Sequence, residues 1–327
     1  MKIETLPGLE AVDPARWNAL VAQAATGSVF LTTAWQAAWL AAFGGGRPLR
    51  VLAARDATDA LAGLLPLYED EPGLWRIVGG VDVSDYLDLI AAPGREEEVW
   101  EALLQHRAAE RTVWHLRGLR AESPTATRLP GLAPAHGLTC VVEREERCPL
   151  LRLPESWDAY LAMLSGKDRQ ELRRKIRKLE ARLPAGSVRS VTTAAEMRAG
   201  LDDFLRLHRA SRTGKAKFMD ERMEGFFRVV LAALAVAGWV RLWFLESAGT
   251  PVASFICTEY GDAVGLYNSG FDPAHSRLAP GIVLLGHVIR DAIERRVPVF
   301  DFLRGDEPYK YAFGPTPTDV MSARLAP

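Results

Sequence analysis

The segment Phe300–Lys310 holds the densest set of side chains that could move protons. Strand alternation predicts that Asp301 points away from its aromatic neighbours, and a buried carboxylate needs a partner, for which Arg304 is close in sequence. The pair could therefore be only a structural ion pair at a strand end. As chemistry, the segment offers carboxylate bases and tyrosine or lysine proton donors, and the choice of base stays open. The candidate catalytic residues are Asp301, Arg304, Asp306, Glu307, Tyr309 and Lys310.

A second candidate site lies at the start of a predicted helix, Pro280–Arg296. Free backbone N–H groups and partial positive charge at a helix N-terminus favour a phosphate, and Arg277 and Gly281 lie beside it. Proline is also common at the first helical position, so a plain helix start is the alternative.

The stretch Lys167–Arg182 carries eight basic and three acidic residues, an excess of five positive charges. Such a face could attract a phosphate-bearing or polyanionic substrate, and Arg173, Arg177 and Lys217 are the candidate contacts. The alternative is a solvated helix face.

Composition excludes several classes of protein. The 327 residues are 48% hydrophobic and 25% charged with a net charge of -1, which argues against disorder and against a global attraction to nucleic acid. The cysteines Cys140, Cys148 and Cys257 lack metal-site spacing. No signal peptide or membrane span is apparent, and no metal site is expected. We expect a cytoplasmic monomer or homodimer.

Hydrophobic periodicity predicts an α/β fold. In the second half, a strand (Ser187–Thr192) and two helices precede three strands ending at Ala263–Phe271, the helix Pro280–Arg296 and a last strand, Val299–Leu303. A helix is predicted over 157–183. The crossover makes the last strand parallel to its neighbour, and ligands favour the junction that results.

This order of elements resembles the GNAT acyltransferase fold. The motifs Tyr267-Asn268-Ser269-Gly270-Phe271-Asp272-Pro273 and Phe300–Lys310 are similar to those of the CelD/BcsL-like acetyltransferases, relatives of the Fem-type peptidoglycan aminoacyl ligases. The resemblance implies two tandem GNAT-like domains, a degenerate one at 1–147 and an acyltransferase domain at 148–327 with the basic helix 157–183.

The resemblance also implies an acyl-CoA site, with acetyl-CoA as the expected co-substrate. Its backbone and phosphate contacts would come from Tyr267, Asn268, Ser269, Arg277 and Gly281. Pro280 and Ile282 stand where the family usually has small residues, which removes one N–H donor. In the first half, Trp35, Asp85 and Tyr86 are candidate contacts for the acceptor, with core or turn roles as the alternative.

Three functions are open. The first is transfer of an acetyl or other acyl group to an amine or hydroxyl of a sugar or cell-envelope precursor, with a small anionic or nucleotide-linked acceptor. The second is a Fem-type ligase that uses aminoacyl-tRNA, and the third is a non-catalytic binding protein. No nucleophilic serine or cysteine constellation is present, so direct transfer is expected.

Overall fold

The computed structural model describes residues 1–80, 82–182 and 187–327. Two compact units divide the chain: Met1–Arg147 with Thr318–Pro327 form unit 1, and Cys148–Pro317 form unit 2. The C-terminal segment therefore packs with the first unit, whereas the sequence had suggested one boundary near residue 148.

Unit 1 is built on a mixed sheet with the strand order β1-β2-β3-β4-β6-β13-β7, and β5 pairs with β3. Tryptophans dominate its core because Trp17, Trp35, Trp100 and Trp114 are all fully buried. Its strands are β1 (Lys2–Leu6), β2 (Leu49–Arg55), β3 (Leu61–Glu71), β4 (Leu74–Ile77), β5 (Ile90–Ala91), β6 (Val113–Arg120), β7 (Thr139–Arg152) and β13 (Thr316–Ala326), and its helices are α1 (Pro14–Gln23), α2 (Thr33–Trp39), α3 (Glu96–Arg107) and α4 (Pro124–Leu132).

Unit 2 has the strand order β8-β9-β10-β11-β12, and residues 150–152 at the end of β7, which belong to this unit, pair antiparallel with β12. Its strands are β8 (Val188–Val191), β9 (Val240–Ser247), β10 (Thr250–Tyr260), β11 (Ala263–Phe271) and β12 (Val299–Asp301). Its helices are α5 (Trp157–Met163), α6 (Gly166–Glu180), α7 (Ala194–Ser211), α8 (Thr213–Phe218), α9 (Glu221–Ala237), α10 (Pro280–Glu294) and α11 (Pro308–Tyr311).

The amphipathic helix α10 covers one face of the unit 2 sheet. Val283, Leu284, Val288 and Ile289 on this helix are buried, and they join a core cluster with residues of β9, β10 and β11. The burial of this apolar stripe fixes the rotation of the helix about its axis, because any other rotation would expose the stripe.

The single helix expected over 157–183 is instead two helices. α5 ends at Met163, and α6 starts after Ser165, whose hydroxyl accepts a hydrogen bond from the Asp168 backbone N–H at 3.1 Å. A serine in this position caps a new helix, which explains the break. Leu183, the end of the expected helix, lies outside the described residues.

Across the described ranges, none of the helices combines the length and apolar character that a bilayer crossing requires.

Candidate active site

A cavity of about 310 Å³ opens in unit 2 where the sequence motifs around β11, α10 and β12 meet. It is lined by Ser269–Phe271 at the end of β11, by 279–282 at the start of α10, and by Glu307 and Tyr309 beyond β12. Ser211, Arg212, Lys215, Phe255 and Ser276 complete the described lining.

The cavity exists because two parallel strands separate. β11 and β12 pair only over Ala263–Gly265 and Val299–Asp301, after which β11 continues to Phe271. A bulge in β11 precedes the open edge: Asn268 pairs with Ile256 and Leu266 with Cys257, which leaves Tyr267 as the extra residue. Bulges re-aim side chains and interrupt pairing, so the end of β11 keeps backbone groups for a ligand.

The start of α10 offers an open backbone cradle. Ala279 holds a left-handed φ of 49°, and Pro280 begins the helix without an N–H. The Val283 N–H donates back to the Ala279 carbonyl at 3.1 Å. Gly281 and Ile282 carry first-turn N–H groups, which an α-helix leaves without intrahelical acceptors, and a Cβ on Gly281 would meet nothing within 4 Å. The backbone N–H groups of Gly281 and Ile282 can therefore donate hydrogen bonds to an anion.

A turn of unusual backbone shape follows β12. Leu303 has a left-handed φ of 53°, which is costly for a branched side chain. Two buried charged residues hold it: Asp301 Oδ1 accepts from the Leu303 N–H at 2.8 Å, and Lys310 Nζ donates to the carbonyls of Arg304 at 2.9 Å and Gly305 at 3.0 Å. Asp301 and Lys310 thus act on this turn as positioning residues.

The turn delivers Glu307 to the cavity. Lys310 Nζ lies 3.0 Å from Glu307 Oε2, and that oxygen is buried, yet the side chain as a whole is 43% exposed. The exposed surface therefore belongs to the rest of the side chain. Gly305 makes room for it, because a Cβ at this residue (φ 114°) would lie 2.5 Å from Glu307 Oε2. Glu307 is the one carboxylate among the described residues that line the cavity.

Tyr309 also faces the cavity, with its hydroxyl protonated. Burial, and then the negative charge of Glu307, raise the pKa of this phenol to about 12. A phenol that keeps its proton can donate a hydrogen bond to a ligand at neutral pH.

Lys215 brings a buried amine to the same cavity. Its Nζ donates to the Ser269 carbonyl and lies 3.1 Å from Ser269 Oγ. Burial, and then the nearby Arg212, lower the pKa of Lys215 to about 8. Behind it, burial and Lys215 lower the pKa of His208 to about 4, so this imidazole is neutral at pH 7.

The structure thus brings Ser269, Gly281, Glu307 and Tyr309 from the sequence candidates to one cavity. Ser211, Arg212 and Lys215 were not singled out as site residues. Lys217, which the sequence selected as a candidate contact, is exposed, and only the fold separates it from the cavity-lining Lys215.

The other candidates from the two motifs lie around the cavity rather than in its described lining. The ring of Tyr267 stacks on Phe227 with centroids 5.8 Å apart, and Asn268 Oδ1 accepts from the Ser269 N–H. Tyr311 donates to Asp306. Four further candidates also lie outside the described lining of the cavity: Asp301, Arg304, Lys310 and Arg277.

The basic helix α6 packs beside α10. Ile176 and Leu172 cover Gly286, and Lys178 Nζ donates to the Arg277 carbonyl at 3.1 Å. Arg173 and Arg177 remain on the exposed face of the helix. One face therefore supports the wall that holds Gly281, and the other keeps positive charge in solvent.

The sequence candidates of unit 1 are buried. Trp35 Nε1 donates to Ser84 Oγ at 2.8 Å, and Asp85 and Tyr86 are less than 9% exposed. The guanidinium of Arg120 lies 4.1 Å from the Tyr86 ring centroid. Of the three, Tyr86 borders a cavity of about 180 Å³ in this unit.

Asp88 also lines that cavity, and its buried side chain is unfavourable to ionise. Its Oδ1 accepts from Thr125 and from the Leu89 N–H at 2.7 Å, whereas its Oδ2 has no hydrogen-bond partner among the described residues. Burial raises the pKa of this carboxyl to about 6 from 3.8.

We expect Asp88→Asn to stabilise the protein at pH 7 and not at pH 4. The raised pKa means that the native state holds this proton more tightly than the unfolded state. The resulting stability is complete below pH 3.8 and is lost as the pH rises through about 6. The loss at pH 7 is on the order of 3 kcal/mol, of which the variant regains part. Urea unfolding at pH 4 and pH 7 measures the free energy of unfolding of the variant and the wild type. An equal gain at pH 4 would show that the charge of Asp88 is not the cause. The exposed Asp262→Asn serves as the control.

Residues 166–311 match the family model described as an acetyltransferase (GNAT) domain. A search among curated proteins found no match.

Solved structures resemble the whole chain. FemX aligns with a TM-score of 0.68 at 12% identity, covering 98% of this chain and 96% of that one. The C-terminal domain of a putative lysylphosphatidylglycerol synthetase from Agrobacterium fabrum aligns with a TM-score of 0.59 at 10% identity, covering 96% and 91%. A tandem GNAT protein from the clavulanic acid biosynthesis pathway aligns at 0.50 and 14% identity, covering 99% and 98%.

The fold is therefore that of the GNAT proteins in its tandem form, and the predicted fold class is confirmed. The segment matched by the family model contains the end of β11, the start of α10 and Glu307, which line the cavity of unit 2. The finer resemblance to CelD/BcsL-like acetyltransferases stays a prediction.

Proposed function

We propose that the protein is an acyltransferase that moves an acetyl or other acyl group from acyl-CoA to an amine or hydroxyl of a sugar or cell-envelope precursor. The observation that carries this proposal is the cavity of unit 2, where the open end of β11, the helix start at Gly281 and the carboxylate of Glu307 meet. The match of residues 166–311 to an acetyltransferase domain supports it.

The residues present fit a CoA thioester. Gly281 and Ile282 would hold the diphosphate through backbone N–H groups, and the space around Gly281 is open to a ligand. Arg212 stands exposed at the cavity with no acidic partner among the described residues, and it would add a charge contact. The backbone of Ser269–Phe271, beyond the point where β12 ends, would bind the amide-rich arm as an added strand does. When bound, the thioester supplies the activated acyl group.

The chain's own groups then manage protons. Glu307, whose Oε2 lies 3.0 Å from Lys310 Nζ, would take the proton from the acceptor amine or hydroxyl. Tyr309 keeps its proton at neutral pH and would donate a hydrogen bond to the departing sulfur of CoA as the acyl–sulfur bond breaks and the bond between acyl group and acceptor forms. The side chains of Phe255 and Phe271 line the same cavity and exclude water from the reacting atoms.

Calorimetric titration with acetyl-CoA tests the donor site, and release of CoA thiol in the presence of a panel of amino sugars tests the transfer. We expect a dissociation constant roughly between 1 µM and 1 mM, and thiol release that requires an acceptor. An absence of acetyl-CoA binding would contradict the proposal. Binding without thiol release for any acceptor would favour a binding protein.

The exposed basic face of α6 and the likeness to FemX favour one second candidate, a ligase that takes its acyl group from aminoacyl-tRNA. The chain would then bind charged tRNA with a steep dependence on salt, and Arg173→Gln and Arg177→Gln would each reduce that dependence. If both variants bound tRNA with the affinity and salt dependence of the wild type, the basic face of α6 would not be the tRNA contact.

A further inference from the structure

Resting on the proposed function, we propose that the cavity of unit 2 binds a carboxylate group of one substrate through Lys215 Nζ. The carboxylate belongs either to the acyl chain of the donor, as in a dicarboxylic acid mono-thioester, or to the acceptor, as in an amino acid. Both sources present the same chemistry to the amine.

Lys215 makes no ion pair with a carboxylate among the described residues, and the negative charge of Glu307 has a smaller effect on the pKa of its amine than burial and Arg212 have. Its hydrogen-bond partners, the carbonyl and hydroxyl of Ser269, are neutral, and among the described residues no carboxylate lies within ion-pairing distance of Nζ. Glu307, the carboxylate of the lining, already contacts Lys310 at 3.0 Å. A cavity bordered by Arg212, Lys215 and the helix start of α10 therefore has an excess of positive charge.

A buried ammonium without an anion is costly, and side chains of this type are seldom buried unless they are paired. The lowered pKa of Lys215 reflects that cost, yet at about 8 the amine remains mostly charged at pH 7. A ligand that brings one negative charge to Nζ would remove the cost and gain a charge-assisted hydrogen bond. The fold thus keeps a half-buried ammonium without an ion pair among the described residues, and a ligand carboxylate would supply that pair.

The position of Lys215 favours a carboxylate over a phosphate. A diphosphate is strongly hydrated and carries more than one charge, which suits the exposed Arg212 and the two N–H groups at Gly281 and Ile282. Lys215 is the more buried cation, bound to the strand end at Ser269, and the lining near β10 and β11 includes the aromatic rings of Phe255 and Phe271. One ammonium in such surroundings matches one singly charged group.

The chain offers a matched control. Lys217 lies two residues further along α8 and is exposed. Lys215→Met keeps the length of the side chain and removes a buried charge, so we expect the variant to fold with a melting temperature at or above that of the wild type. Lys217→Met removes the same charge from solvent.

The donor arm of the test compares succinyl-CoA with butyryl-CoA by calorimetry. The acceptor arm compares thiol release from acetyl-CoA with a set of α-amino acids and with their amides. In one arm the wild type should prefer the carboxylate-bearing probe by about tenfold or more, Lys215→Met should lose that preference while keeping the neutral probe, and Lys217→Met should keep it.

The inference would be overturned if charged and neutral probes gave equal affinities and equal rates of thiol release, or if the preference for the charged probe remained in Lys215→Met. In either case, binding of acetyl-CoA would still support the proposed function. A failure of every thioester to bind would instead contradict the proposed function itself.

Discussion

Glu307→Gln lowers the rate of acyl transfer by about 10²- to 10⁴-fold and leaves the affinity for acetyl-CoA close to that of the wild type. The expected loss is that of a general base, since an amide of the same shape cannot take a proton from the acceptor. Comparing kcat from thiol release with the dissociation constant from calorimetry separates the two effects.

The neighbouring carboxylates make this prediction specific. Asp306 accepts a hydrogen bond from Tyr311 and lies outside the described lining of the cavity, so Asp306→Asn should change kcat far less. Asp301→Asn should act differently again, since it loosens the turn at Leu303 and lowers stability together with activity. If Asp306→Asn proved as damaging as Glu307→Gln, the assignment of the base would be wrong.

Gly270→Ala destabilises the protein by about 3 kcal/mol or more and reduces donor binding with it. A Cβ on Gly270 would lie 2.4 Å from the backbone nitrogen of His208 and 2.6 Å from the Leu207 carbonyl carbon. Backbone atoms near the C-terminal end of α7 are held in the helix and cannot move aside, so helix and strand must separate. Since α7 ends at Ser211, that movement also displaces Arg212 and Lys215 from the cavity.

Urea unfolding measures the effect, with Gly225→Ala as the control. Gly225 is inside α9, and its added Cβ would meet nothing within 4 Å, so this exchange should stabilise the protein by about 0.5–1 kcal/mol. Equal stability of Gly270→Ala and the wild type would show that α7 and β11 do not meet this closely.

Local patterns sufficed to predict the part of the fold that frames the cavity. β11 is observed at the predicted Ala263–Phe271, and α10 begins at the predicted Pro280, because a period-2 strand bounded by a turn and a proline-initiated amphipathic helix are strong signals. The meeting of Ser269, Gly281 and Glu307 follows from a parallel pair of strands that separates.

What the sequence did not yield depends on contacts between distant segments. Lys215 reaches the cavity because Gly270 lets the α7 backbone approach β11, and no pattern around Lys215 distinguishes it from Lys217. β13 pairs with β6, which is about 200 residues earlier in the chain, and no local pattern in β13 predicts this partner. Lys310 likewise reaches the carbonyl of Arg304 only because the backbone turns left-handed at Leu303, a conformation that local propensity disfavours.

The most direct test is a crystal structure of the protein with a non-reactive acetyl-CoA analogue. We expect density for the diphosphate at the N–H groups of Gly281 and Ile282, the arm along Ser269–Phe271, and the acyl end within reach of Glu307. A ligand bound elsewhere in the chain, with this cavity closed by its own side chains, would contradict the account.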